Sequence, residues 1–131
     1  MAAQVEYLEG TDIQKSRAYS PAVITQGGKT IWLAGQTTTV DESGKDITGS
    51  FEAQARTVFA LMDRTLKRAG GSLANLVTMT VFITDPRYGD AFVKVRGEFF
   101  RDGRYPASAL ITVTAFARPG ILIEIQGVAV V

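Results

Sequence analysis

The chain has 131 residues, 46% apolar and 21% charged, and its 14 Lys and Arg against 13 Asp and Glu leave a net charge of +1. That length suits a single domain over 1–131 with a real core, and the charge balance argues against a nucleic-acid partner held by phosphate contacts. Cys and His are both absent, which excludes a disulfide framework, a thiolate nucleophile or metal site, and any Ser-His-Asp or Cys-His mechanism within the chain.

The N-terminal stretch MAAQVEYLEGTD has no positive region followed by an apolar run, so no signal peptide is expected. No run nears the ~20 apolar residues of a membrane helix. The expected location is the cytoplasm, with no membrane partner. Val5 to Leu8 is a short strand candidate, and the polar stretch Gly10 to Arg17 reads as loop. Ala22 to Gln26 and Ile31 to Gly35 are strand candidates, and Gln26-Gly27-Gly28-Lys29 between them has the composition of a tight hairpin turn. Gln36 to Gly49 is polar. Its carboxylates Asp41, Glu42 and Asp46 do not have EF-hand spacing, so a solvated loop is expected and no metal.

Phe51 to Ala69 is a helix by the spacing of Phe51, Ala55, Val58, Met62 and Leu66. Ser50 is the candidate N-cap and Gly70-Gly71 the stop. Asn75 to Thr84 alternates, with Val77, Met79, Val81 and Ile83 on one face and Thr78, Thr80, Phe82 and Thr84 on the other, as a strand requires. A second helix covers roughly Tyr88 to Phe100, with Phe92, Val95 and Phe99 on one face. Strands at Ala107 to Thr114 and Ile121 to Val130, around a turn at Arg118-Pro119-Gly120, read as a closing hairpin. The expectation is an α+β domain: about six strands in one mixed sheet, with two helices on one face. The opposite sheet face is also aliphatic, and no further layer of the chain remains to cover it. Other copies of the chain are therefore expected there. Trp32 in Ile31-Trp32-Leu33-Ala34-Gly35 is placed in the core. Glu124 is the anomaly, because a carboxylate inside an aliphatic strand is costly unless it reaches a wet cleft or serves chemistry.

Four stretches carry a family resemblance. They are Arg17 to Val23 (RAYSPAV), Ile31 to Gln36 (IWLAGQ), Thr80 to Asp85 (TVFITD), and Tyr105 to Ser108 (YPAS) with Ile121 to Ile125 (ILIEI). Together they resemble the RidA/YjgF family of small imine and enamine deaminases over nearly the whole chain. The resemblance implies a chorismate-mutase-like fold packed as a homotrimer, with active sites in clefts between subunits, a small-molecule substrate and no cofactor. It implies that Tyr19 lines the cleft, that Ala34 and the Gly35 amide contact substrate or water, and that Glu124 holds and activates water. In deaminating members an arginine directly after Pro-Ala grips the substrate carboxylate; here that position is Ser108. Serine cannot supply a guanidinium fork, so the chain is similar to a branch of the family that lacks this arginine. Ala34 also lacks the hydroxyl or thiol often found at its position.

Each candidate has an ordinary alternative. Glu124 is either the water-activating base or a structural glutamate held by backbone amides or a neighbouring subunit. Tyr19 is either a cleft residue or packing with its hydroxyl at the surface, and Gly35 either an amide donor or a small residue at a strand end. Arg96 is either a solvated helix charge paired with a nearby carboxylate or a replacement for the missing guanidinium; Arg17 and Arg104 lie near the same segments. Ser108 either hydrogen-bonds a ligand or simply fits a strand. The expected function is cofactor-independent hydrolytic deamination of a small imine or enamine that is not a simple 2-imino acid. The alternatives are a catabolic deaminase of an amino-dienoate such as 2-aminomuconate, and a non-catalytic trimeric protein that binds a small ligand. Ribonuclease activity ranks third, given a charge of +1 and no His.

Overall fold

The computed structural model describes residues 2–131. Among them are β1 (Gln4–Tyr7), α1 (Asp12–Ser16), β2 (Val23–Gln26), β3 (Thr30–Trp32), α2 (Phe51–Arg68), β4 (Leu76–Ile83), α3 (Gly89–Phe99), β5 (Ala107–Thr112) and β6 (Ile123–Val130). The architecture is α+β, as expected. The strands do not form one sheet, however. A four-stranded sheet runs β3-β6-β4-β5, and β1 pairs with β2 separately. A parallel bridge between Ser20 and Ala107 joins the two, reinforced where Ser20 Oγ donates to the Tyr105 carbonyl at 2.6 Å.

Both expected hairpins are absent. β2 pairs with β1, and β3 pairs with β6. Gly27 and Gly28 do turn the chain at positive φ, as only glycine does at little cost. But Gly28 lies against Ala3 and the Val131 carbonyl, and Lys29 exchanges two backbone hydrogen bonds with Val131, at 2.6 and 2.9 Å. That docking hands β3 to β6. At the C-terminus β4 lies between β5 and β6, parallel to the first and antiparallel to the second. Its inward residues Met79, Val81 and Ile83 are almost wholly buried, so β4 takes the centre, where the apolar surface it removes from water is greatest. The segment Gly10 to Arg17 is not loop throughout. Thr11 and Gln14 form a capping box that starts α1: the Gln14 amide donates to Thr11 Oγ1 at 3.2 Å, and the Thr11 amide donates to Gln14 Oε1 at 2.9 Å.

Helices α2 and α3 lie on one face of the sheet. Phe59, Met62 and Leu66 from α2 and Phe92 and Val95 from α3 enclose one core with Met79, Val81, Ile123 and Ile125. Ser50 precedes α2 without a side-chain capping bond. The N-terminal end of α2 is tied down instead by buried Gln54, whose amide donates to the carbonyls of Ile47 and Gly120 at 3.0 and 2.8 Å and accepts from the Leu122 amide at 2.9 Å. This clamp fixes the chain just before β6. Among the described residues no helix covers the other sheet face. Register places Phe82 opposite Glu124, Thr80 opposite Gln126 and Thr78 opposite Val128 on that face. Trp32, expected in the core, stands there 79% exposed, because β3 presents its alternate residue Ile31 to the helices and turns Trp32 the other way.

Candidate active site

The residues singled out by sequence fall into two groups. The first lies on the open sheet face, where β3 runs out. Leu33 donates its amide to Gly127 at 3.0 Å, and Gln36 donates to Ile125 at 2.9 Å. Between those bonds Ala34 and Gly35 stand opposite the single residue Gln126, which is the count of a β-bulge. Neither the Ala34 nor the Gly35 amide donates to another backbone group among the described residues. The bulge lays Gly35 against the Glu124 side chain, so closely that a Cβ added at Gly35 would collide with the carboxylate. Any side chain at position 35 would have to displace that carboxylate. Glu124 is half-buried, and among the described residues no side-chain hydrogen bond or ion pair engages it, so the reading as a glutamate satisfied within its own chain is not supported. A free carboxylate beside an unpaired amide can hold a water molecule and take a proton from it. Phe82, opposite Glu124, supplies an apolar wall that sequence reading left unassigned; its place on the threonine face of β4 was the available signal.

The second group lies on the helix side. β5 pairs Ser108 with Met79 and Leu110 with Val81, so these residues face away from Glu124. Arg96 of α3 reaches this strand: its Nη1 donates to Ser108 Oγ at 2.7 Å, and its Nη2 donates to the Arg17 carbonyl at 2.8 Å. Arg96 is 2% exposed, so its reading as a solvated helix charge is wrong, and no carboxylate pairs with it among the described residues. Its guanidinium lies over the Phe92 ring at 4.9 Å and the Tyr19 ring at 5.9 Å. Burial, and then the neighbouring Arg17 charge, push its pKa down to about 10, which still leaves it a cation at neutral pH. Arg17, Tyr19, Arg96, Ser108 and Leu110 line a cavity of about 200 Å³. Tyr19 also borders a second cavity of about 320 Å³ with Tyr7, Lys15 and Tyr105. Arg17, half-exposed, turns its own Nη1 to Asp90 at 3.1 Å. Arg104 does not join this group and stacks on Tyr7 at 5.1 Å.

The burial of Arg96 was legible in its spacing. Phe92, Val95, Arg96 and Phe99 recur at i, i+3, i+4 and i+7, which puts the arginine within the apolar stripe of α3. The structure thus brings Tyr19, Arg96 and Ser108 together, and Ala34, Gly35 and Glu124 together. It separates the two groups by the thickness of the sheet.

A family model described as endoribonuclease L-PSP matches residues 10–131. The chain is similar to protein DfrA of Myxococcus xanthus, 32% identical over 112 residues that cover 86% of this chain and 84% of that one. It is similar to the mouse protein named 2-iminobutanoate/2-iminopropanoate deaminase, 31% identical over 112 residues, covering 86% of this chain and 80% of that one. Among solved structures, YyfB of Yersinia pestis, a protein of unknown function of the conserved Rid family, matches with a TM-score of 0.84 at 27% identity over 100% of both chains.

Proposed function

The chain belongs to the Rid/YjgF family, the group of the endoribonuclease L-PSP model, and on that premise we propose that it hydrolyses a small reactive imine or enamine to ammonia and a carbonyl product. The observation that carries this reading is Glu124, a half-buried carboxylate with no side-chain partner among the described residues, set against Gly35, whose amide donates to no backbone group among them. Water bound between them loses a proton to Glu124 as its oxygen bonds to the C=N carbon. The C=N π pair takes up a proton from solvent at nitrogen, and a carbinolamine forms. Glu124 returns its proton to that nitrogen, the C–N bond breaks, ammonia leaves, and the hydroxyl proton passes back to solvent as the carbonyl forms. An enamine first takes a proton at carbon to give the imine. The sequence needs a placed base and no electron acceptor; general acid–base help of this kind contributes about 10²–10⁴-fold.

In this proposal the chain assembles as a trimer in which the open sheet face of each copy meets the β5 edge of the next, so that the Glu124 group of one copy and the Tyr19 group of the next share a cleft. The exposed Trp32, on a face that no helix covers among the described residues, supports it. The name of the family model points to RNA cleavage, but a net charge of +1 and no His favour small-molecule chemistry. The test is ammonia release from freshly generated imines and enamines. The protein should accelerate it over buffer, and Glu124→Gln should lower that rate about 100-fold or more. No acceleration across substrates would leave the chain a ligand-binding protein, and an unimpaired Glu124→Gln would remove the mechanism.

A further inference from the structure

Among the described residues no acid pairs with the buried cation Arg96. A guanidinium carries five N–H donors. One goes to Ser108 Oγ, one to the Arg17 carbonyl and a weak one to Met79 Sδ at 3.9 Å. Nε is buried and has no partner. A buried charge left this way is unfavourable and calls for a counterion. The nearest ion pair belongs to Arg17, whose partner Asp90 is exposed. Ser108 completes the pattern. Its oxygen accepts from Arg96 at 2.7 Å, so its own proton must point elsewhere, and it lines the same cavity of about 200 Å³.

We propose that Arg96, reaching across from α3, binds the carboxylate of the substrate, with the Ser108 hydroxyl as a second donor. The substrate is then an imino or enamino acid. This rests on the deaminase reading and reverses the expectation that Ser108 costs the protein its carboxylate grip: the guanidinium is present at that position, carried by a helix instead of the strand. Tyr19, over whose ring Arg96 lies, borders the site. The competing role for Arg96 is a brace that ties α3 to β5 and to the chain at Arg17.

The test uses the assembled wild-type protein, titrated calorimetrically with 2-oxobutanoate and with 2-oxobutanamide, which has the same shape without the charge. The acid should bind at least tenfold more tightly than the amide. Arg96→Gln should abolish that preference and raise KM for imino acids, and Ser108→Ala should weaken acid binding severalfold with amide binding unchanged. Equal binding of acid and amide, or failure of both to bind, overturns the proposal, as does an acid preference that survives in Arg96→Gln. If Arg96→Gln does not fold, the acid–amide pair and Ser108→Ala still decide. Ammonia release without acid preference refutes the role of Arg96 and leaves the deaminase reading standing; acid preference without ammonia release does the reverse.

Discussion

Gly35 lies directly against Glu124, the proposed water-activating base. Because a Cβ at Gly35 would collide with the Glu124 carboxylate, Gly35→Ala must push that side chain aside. Displacement of a reacting group by about 1 Å can cost 10²-fold in rate. Gly35 is exposed, so the fold should hardly notice. The expected outcome is a deamination rate down about 100-fold with little change in Tm, read from ammonia release and a thermal melt on the same preparation. A large fall in Tm with the rate preserved would contradict this view of the pair. Arg96 differs in kind, because its contacts serve both packing and charge. Only ligand binding, with and without a carboxylate, separates those roles.

At the scale of elements, Gln54 links α2 to the approach of β6. Its three hydrogen bonds, one buried and two part-buried, to Ile47, Gly120 and Leu122, close the loop that leads to Glu124. Gln54→Leu keeps the volume and removes the bonds. The Ile47 and Gly120 carbonyls keep the amides of Ser50 and Gly49, and the Leu122 amide loses its acceptor. A buried polar group left unsatisfied costs about 1–3 kcal/mol, less where water can enter. The variant should lose about 2 kcal/mol in denaturant unfolding, and an unchanged midpoint would show that the clamp is not needed. The elements themselves were legible: α2, α3 and β4 follow from apolar spacing. Their partners were not. Pairing of β3 with β6 depends on Gly28 docking against Val131, and insertion of β4 between β5 and β6 depends on which strand buries most, both properties of distant segments. The short α1 was within reach, since Thr11 and Gln14 stand at capping-box spacing. The bulge at Ala34 and Gly35, which aims the site, leaves no trace in periodicity.

For the whole molecule, the open sheet face sets the expectation. Trp32 is the only tryptophan of the chain and stands 79% exposed on it. Beside it, Thr78, Thr80, Gln126 and Val128 help line a hollow of about 280 Å³. Large exposed aromatic residues beside a hollow favour a protein contact. Trp32→Glu should therefore dissociate the proposed trimer, with a smaller mass in light scattering and loss of activity without loss of helix content. A variant that remains trimeric would place the interface elsewhere. Residue types and the family resemblance made Tyr19, Gly35 and Glu124 legible as candidate site residues. That they fall on opposite faces of a sheet was not, because face assignment across strands needs the register.

The central claim is that one copy supplies Glu124 and the next supplies the Arg96 cavity. It is tested most directly by mixing two inactive chains. Glu124→Gln and Arg96→Gln subunits, each with little activity alone, are co-expressed and the mixed trimers isolated. If the cleft is shared, every mixed trimer regains both intact halves at one of its three clefts, as cyclic symmetry requires, and ammonia release returns to about a third of wild type. If mixing restores nothing, the two groups do not meet across copies and the shared cleft is contradicted.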